Sequence, residues 1–128
     1  MKQYILAIVL LLFTPQILQK HRTGPKLGNT PVMQVVQASY YGHGDGFDGK
    51  RTASGERFNK MRHTAAHKWL PFGTRVFLLN RETKKWTIVT INDRGPFVKG
   101  RDFDISWIAA KDLQMVDQGV AALSYRIL

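Results

Sequence analysis

Residues 74–91, TRVFLLNRETKKWTIVTI, hold the two segments that decide the fold. Thr74 to Leu79 and Trp86 to Ile91 are rich in β-branched and aromatic residues, the composition typical of β-strands. The polar segment Asn80 to Lys85 between them has the length of a hairpin loop of about four to six residues. We therefore predict a β-hairpin at this point in the chain.

Two further segments outside the hairpin favour strands. Gln34 to Tyr41 is β-prone and ends in Gly42-His43-Gly44-Asp45-Gly46, where the closely spaced glycines favour turn geometry. Val120 to Ile127 closes the chain as another strand. The stretch Phe47 to Met61 is expected to be an exposed loop with little regular structure.

A single helix is predicted near the end of the chain. Ser106 can cap a helix that runs through Lys111 to Leu113, because its hydroxyl can accept hydrogen bonds from the free N–H groups of the first turn. Several short strands with long loops and one helix indicate a mainly β fold, a small β-barrel rather than a βαβ sheet.

Length and composition fit one domain. The chain has 128 residues, no cysteine, 44% hydrophobic residues and a formal net charge of +10. Without cysteine the fold has no disulfides and the N-terminus cannot be lipidated on a cysteine. The basic charge suits an anionic wall polymer or anionic lipid. Nucleic acid is not an expected partner, because no helix-turn-helix, zinc-finger or RNP pattern is present.

The N-terminus has the features of an export signal. Met1-Lys2-Gln3 precedes the apolar run Tyr4 to Phe13, as in a secretory signal peptide. Thr14 to Gln19 offers no A-x-A-like cleavage site, so an uncleaved membrane anchor is the alternative. We expect a signal or anchor with the start of a linker in residues 1–23, a linker in 24–32 and the domain in 33–128. This organisation predicts export to the periplasm or cell envelope.

Two carboxylates and a histidine are candidates for acid–base chemistry. Asp93 directly follows a predicted strand and precedes the Gly95-Pro96 turn, so its carboxylate would project from the end of the strand into the space between the loops. Cleavage of a glycosidic bond needs a proton donor to the leaving oxygen, which Asp93 or Glu56 could supply, and His67 could relay a proton. The structural alternatives are a turn-forming Asp93, a solvated Glu56 and a hydrogen-bonded polar His67.

A metal centre is not expected. Five residues close together in sequence could act as metal ligands, but their spacing matches neither a helical histidine pair nor a calcium loop. Aromatic residues near the candidate loops favour a sugar-binding site instead, because flat rings beside polar groups suit the faces of sugars. Core packing is expected for about half of these rings. The possible ligands are His43, Asp45, Asp48, His63 and His67, and the aromatic residues are Tyr40, Tyr41, Phe47, Trp69 and Phe97.

These segments resemble the RlpA (rare lipoprotein A) family of lytic transglycosylases, and the resemblance covers about 90 residues. It implies a six-stranded double-psi β-barrel with one or two short helices, shared with expansins. It also implies endolytic, non-hydrolytic cleavage of peptide-poor peptidoglycan glycan strands to 1,6-anhydromuramic acid ends, with no cofactor. The matching motifs are Ala38-Ser-Tyr-Tyr-Gly42, Arg51-Thr-Ala-Ser-Gly-Glu-Arg-Phe58, Thr64-Ala-Ala-His67, Leu70-Pro-Phe-Gly-Thr-Arg-Val76, Ile91-Asn-Asp-Arg-Gly-Pro-Phe97, Asp104-Ile-Ser106 and Gly119-Val120.

The family's functional positions fall on three residues of this chain. The resemblance implies that Asp93 is the general acid and then the base on the muramyl 6-hydroxyl, while Glu56 and His67 position the sugar and tune the acidity of Asp93. Further residues in or near the matching motifs are expected to bind the glycan: Tyr41, Ser54, Asn59, Asn92, Arg94, Phe97 and Asp104.

One departure from the family pattern keeps a second function open. Family members often have an acidic residue where this chain has Asn59, so one charge of the site is missing. The alternative is a non-catalytic, expansin-like module that binds or remodels the wall polysaccharide, or a domain that recruits another wall enzyme. In each case the expected partner is a peptidoglycan glycan strand and the expected state is a monomer.

Overall fold

Six strands close into a barrel in the computed structural model, which describes residues 33–128. The strands are β1 (Gln34–Tyr41), β2 (Thr64–His67), β3 (Arg75–Asn80), β4 (Trp86–Asp93), β5 (Phe103–Ser106) and β6 (Val120–Ile127). The helix α1 (Trp107–Asp112) lies between β5 and β6. Around the barrel the order is β1-β5-β2-β4-β3-β6, which confirms the predicted mainly β fold with six strands and a short helix.

The strand pairing combines local and distant contacts. The predicted hairpin is confirmed, because β3 and β4 pair antiparallel with Val76 opposite Val89. β6 pairs antiparallel with both β3 and β1. By contrast, β1 with β5 and β2 with β4 form parallel pairs, which require long crossovers.

Alternating side chains from the strands fill the barrel. In β3 the residues Val76 and Leu78 face inward, and in β4 the residues Val89 and Ile91 do the same. Buried Asn80 ends the first hairpin strand: its Nδ2 donates to the Leu113 carbonyl at 2.8 Å, which ties the hairpin to the residue after α1. The hairpin is therefore held at its turn as well as by the backbone hydrogen bonds between β3 and β4.

Three local expectations need correction. β4 does not end at Ile91 but continues through Asp93, so Asp93 is the last residue of the strand. The loop between residues 47 and 61 is not wholly exposed, since Thr52 and Phe58 are buried. Ser106 does precede α1, but its side chain makes no capping hydrogen bond; its hydroxyl instead accepts from the Thr64 N–H at 3.4 Å, because the residue is buried in β5 beside β2.

The predicted signal or anchor in residues 1–23 and the linker in 24–32 lie outside the described residues. Between residues 33 and 128, no helix has the length and apolar character needed to cross a bilayer.

Candidate active site

Asp93 holds its carboxylate in a fixed orientation at the end of β4. Its Oδ1 accepts hydrogen bonds from the backbone N–H groups of Ala53 and Arg94, both at 2.9 Å. Its Oδ2 accepts from the Tyr41 hydroxyl, also at 2.9 Å. Only 8% of Asp93 is exposed. The three donors come from the ends of two strands and from the 51–58 loop, so the carboxylate can change rotamer only if all three contacts break.

Tyr41 is a permanent hydrogen-bond donor to this carboxylate. Its ring packs against the rings of Phe58 and Phe47, with centroid distances of 4.5 Å and 5.2 Å, and those two rings also contact each other. Burial raises the pKa of Tyr41 far above its ordinary value, and the adjacent Asp93 carboxylate raises it further. The hydroxyl therefore stays protonated at every physiological pH and holds Asp93 Oδ2 in place.

Asp104 is a second carboxyl close to the site. It lies on β5 directly opposite Ser39 of β1, and the Ser39 hydroxyl donates to Asp104 Oδ1 at 3.2 Å. Burial raises the pKa of Asp104 to about 6, and Ser39 and Arg101 only partly offset that shift. The side chain is therefore a carboxyl that changes charge just below neutral pH.

We expect Asp104→Asn to raise the melting temperature at pH 8 but not at pH 3.5. A carboxyl whose pKa is higher in the folded state, here about 6 against 3.8, favours folding fully below 3.8 and loses that contribution as the pH rises through 6. Removing the charge should gain roughly 5 °C at pH 8, the shift that about 1 kcal/mol produces in a small domain. Exposed Asp117→Asn is the control; equal gains at both pH values would contradict the expectation.

The 51–58 loop brings Glu56 to β4 beside Asn92, the residue before Asp93. The Ser54 N–H donates to the Asn92 carbonyl at 3.2 Å, which docks the loop on the strand. Glu56 is exposed, and its Oε2 accepts from Asn92 Nδ2 at 3.5 Å. The pairing of β4 with β2 is irregular here, since Ala65 pairs with Ile91 but Ala66 pairs with Asp93, so Asn92 is an extra residue in β4. Glu56 thus contacts Asn92, while the Asp93 carboxylate contacts Tyr41.

His67 lies at the end of β2, and its imidazole stabilises the turn that follows the strand. Its Nδ1 accepts from the backbone N–H groups of Trp69 at 3.3 Å and Leu70 at 3.1 Å, and its ring lies 4.8 Å from that of Phe103. Burial lowers its pKa, a shift that Asp102 opposes. The structure shows no hydrogen bond between the imidazole and Asp93 among the described residues.

Arg94, the residue after Asp93, lies against one of three exposed aromatic rings. Its guanidinium donates to the Leu70 carbonyl at 2.8 Å and lies 4.0 Å from the centre of the Phe72 ring. Phe72, Trp69 and Phe97 are 43%, 71% and 82% exposed. We define these three residues as the aromatic face. Sequence reasoning singled out Trp69 and Phe97 but missed Phe72, although Phe72 lies inside the quoted Leu70 to Val76 motif.

The remaining candidate residues lie around the loops. Ser54 Oγ is 2.9 Å from the Thr52 hydroxyl and accepts from the Glu56 N–H at 3.3 Å, so it stabilises the loop. Asn59 is exposed and its Oδ1 accepts from the Met61 N–H at 2.9 Å. Residues 33–128 contain no group of three or more histidine, aspartate or glutamate side chains that could hold a metal ion.

Comparison with known proteins gives consistent matches. A family model described as lytic transglycolase matches residues 33–125. A Nostoc protein named probable endolytic peptidoglycan transglycosylase RlpA is 53% identical over 117 residues, covering 81% of this chain and 32% of that protein. An Aquifex aeolicus protein with the same name is 45% identical over 127 residues, covering 89% of this chain and 55% of that protein. The chain thus spans about a third to a half of these relatives.

A solved structure supports the fold. The apo form of an expansin from Clavibacter michiganensis matches with a TM-score of 0.60 at 17% identity, covering 75% of this chain and 50% of that chain. At this level of identity the likeness concerns the barrel alone.

Proposed function

Since the chain belongs to the RlpA family of lytic transglycosylases, we propose that it cleaves peptidoglycan glycan strands internally and leaves 1,6-anhydromuramic acid ends. The observation that carries this proposal is the fixed, largely buried carboxylate of Asp93 at the end of β4. General acid–base catalysis requires a group held within hydrogen-bonding reach of the reacting oxygen, and a rigid strand end provides that placement.

The hydrogen bonds of Asp93 indicate which oxygen reacts. A carboxylate has about four lone-pair sites, two on each oxygen. Oδ1 accepts two backbone hydrogen bonds, whereas Oδ2 accepts only one, from Tyr41. Oδ2 therefore keeps a free lone pair and is the oxygen that carries the reactive proton.

The reaction then needs only this one carboxyl group for its proton transfers. Protonated Asp93 donates its proton to the glycosidic oxygen as the bond from that oxygen to the muramyl C1 breaks. The Asp93 carboxylate then accepts the proton of the muramyl 6-hydroxyl. At the same time the oxygen of that hydroxyl bonds to C1 and closes the anhydro ring. No water is consumed, and Asp93 is protonated again at the end. Tyr41 stays protonated throughout and keeps Oδ2 in position.

Glu56 and His67 support this chemistry in different ways. Exposed Glu56 can accept hydrogen bonds from sugar hydroxyls beside Asn92. His67 fixes the turn at Trp69 and Leu70 to which Arg94 also binds. We propose that Glu56 contacts the glycan and that His67 positions the turn that carries Trp69 and Leu70.

The aromatic face favours a second candidate function. Three exposed rings, one of them against the Arg94 guanidinium, are suited to stacking on sugar faces, and they can bind a polysaccharide whether or not a bond is cleaved. A binding module that loosens the wall without cleavage would use the same surface. In either case we propose that the protein works in the cell envelope as a monomer on glycan strands.

Product analysis of peptide-free glycan strands tests the proposal. We expect the full chain to release fragments with anhydromuramic ends, identified by mass spectrometry. Fragments that are one water heavier, with reducing ends, would show hydrolysis and overturn the non-hydrolytic route. Strands that stay intact but sediment with the protein would support the binding module instead.

A further inference from the structure

An apolar row of side chains crosses the outer surface of the barrel and has no role in the proposed chemistry. The strand register aligns four residues, one each from β1, β6, β3 and β4: Val35, Ser124, Leu79 and Trp86. Residues paired in this way point to the same face of a sheet. The preceding residues of β3 and β6, Leu78 and Leu123, belong to the core, so the row faces outward. Val35 and Trp86 are accordingly 50% and 59% exposed.

A second row widens this surface. Phe77 of β3 lies between Ile88 of β4 and Arg126 of β6, and both Phe77 and Ile88 are half-buried. The rings of Phe77 and Trp86 are stacked, with 5.7 Å between their centroids and 29° between their planes. We define five residues as the outer apolar patch: Val35, Phe77, Leu79, Trp86 and Ile88. A contiguous apolar patch on the surface of a domain indicates an interaction site.

Positive charge borders the outer apolar patch. The Arg126 guanidinium lies 5.9 Å from the centre of the Phe77 ring. Residues 74–91 and 120–128, which include the hairpin and β6, contain one carboxylate side chain, that of Glu82. They also contain five exposed cationic side chains, none of which forms an ion pair with a residue from 33 to 128. We define these five as the basic rim: Arg75, Arg81, Lys84, Lys85 and Arg126.

The combination of apolar patch and basic rim indicates the kind of partner. Tryptophan is enriched at the interface between water and lipid, where its ring lies at the level of the headgroups. Clusters of lysine and arginine bind anionic headgroups at the same level. A polyanionic polymer would leave the apolar side chains in water, and an apolar protein surface would leave the cations unpaired. The surface of an anionic bilayer satisfies both.

The direction of the strands places the outer apolar patch and Asp93 at opposite ends of β4. Trp86 is the first residue of β4 and Asp93 is the last, which separates them by roughly 20 Å at about 3.3 Å per residue. Gln34, the first residue of β1, pairs with Tyr125, the residue after Ser124. The chain therefore enters the barrel at the end that carries the patch, so an anchor in residues 1–23 would be joined to that end.

We propose that the outer apolar patch and the basic rim dock the domain on an anionic phospholipid bilayer, with Trp86 at the level of the headgroups. The end of β4 that carries Asp93 then faces away from the lipid. This assignment rests on the proposed work in the cell envelope, where the domain meets both a bilayer and glycan strands. It gives the patch a partner that the cleavage of glycan strands does not require.

Fluorescence quenching by lipid tests the docking face. The full chain is reconstituted with vesicles of equal parts phosphatidylglycerol and brominated phosphatidylcholine, in two forms that each keep one tryptophan. Trp69→Phe with Trp107→Phe keeps Trp86, and Trp86→Phe with Trp107→Phe keeps Trp69. We expect bromine to quench Trp86 but not Trp69, although Trp69 is the more exposed, at 71% against 59%. Both forms have the same N-terminal segment, so an anchor alone produces no difference, and equal quenching would overturn the proposal.

Charge variants of the form that keeps Trp86 test the basic rim. Lys84→Gln with Lys85→Gln should lower the ratio of docked to undocked domain about thirtyfold, since each cation at an anionic surface contributes roughly fivefold. The matched control is Lys68→Gln with Lys99→Gln, which removes the same charge from exposed residues outside the rim and should leave the quenching unchanged. Quenching that persists in vesicles of brominated phosphatidylcholine alone, or that falls equally in both variants, would contradict docking through the rim.

The outcomes for docking and for the proposed function are distinguishable. If Trp86 is not quenched while the chain releases anhydro ends from glycan strands, the docking is wrong and the function stands. If Trp86 is quenched while strands stay intact, the docking stands and the cleavage is wrong. A Trp86 emission that changes with protein concentration in the absence of lipid would assign the patch to a second copy of the chain and overturn the proposal.

Discussion

Asp93→Asn is expected to lower the rate of glycan cleavage about a thousandfold while strand binding is retained, since a positioned acid–base group contributes roughly 10²–10⁴-fold. Asparagine has nearly the same shape, and its Oδ1 can still accept from the Ala53 and Arg94 N–H groups. Its amide nitrogen cannot deliver a proton to the leaving oxygen or take one from the 6-hydroxyl. The variant should therefore fold but lose both proton transfers.

Initial rates of anhydro-end release and sedimentation with insoluble strands measure the two effects separately. Glu56→Gln is the matched comparison, because it neutralises the other candidate carboxylate, which contacts Asn92, and should lower the rate by about tenfold at most, as for one lost substrate hydrogen bond. Full activity of Asp93→Asn together with inactive Glu56→Gln would assign the acid to Glu56. Melting temperatures of both variants exclude unfolding as the cause.

Much of the barrel could be predicted because its signals are local. The β-branched runs at Thr74 and Trp86 and the polar segment between them specify a hairpin without reference to the rest of the chain. β1 and β6 were predicted with the observed bounds, Gln34–Tyr41 and Val120–Ile127. The short strands β2 and β5 have four residues each, too few to show a period, and only the family resemblance implied six strands.

The contacts that define the site depend on pairing between distant strands. Tyr41 reaches Asp93 across 52 residues, and Ser39 reaches Asp104 across 65, both through the order of strands around the barrel. No local pattern near Tyr41 indicates which carboxylate its hydroxyl will meet. The sequence could nominate Asp93, but its partners required the closed barrel.

The same dependence explains why the role of Ser106 differs from expectation. A serine before a helix normally caps it, yet burial between β5 and β2 directs this hydroxyl to Thr64 instead. Likewise, nothing in the sequence places Thr64, which was quoted only within a motif, beside Thr90 of a predicted strand. They become walls of one cleft only because β2 lies beside β4, where they are paired neighbours.

Gly42→Ala is expected to destabilise the domain by about 4 kcal/mol, because two unfavourable effects add. Gly42 has φ +87°, a conformation that is unfavourable for alanine. A Cβ at this position would also lie 1.9 Å from Phe58 Cε1, and Phe58 is buried with its ring against Tyr41 and Phe47. The ring has no open space to enter, so the backbone must shift. Thermal unfolding should show a loss of roughly 20 °C.

Gly44→Ala separates the two effects. Gly44 also has a positive φ, +75°, but a Cβ there meets nothing within 4 Å, so we expect a loss of only about 1 kcal/mol. Phe58→Ala removes the clash, so the double variant with Gly42→Ala should be more stable than the two single losses predict when added. Strict additivity would show that the Phe58 ring does not restrict position 42. The Phe58 ring packs against Tyr41, whose hydroxyl donates to Asp93. Gly42→Ala should therefore also lower the rate of glycan cleavage, even when the assay temperature is below the melting temperature of the variant.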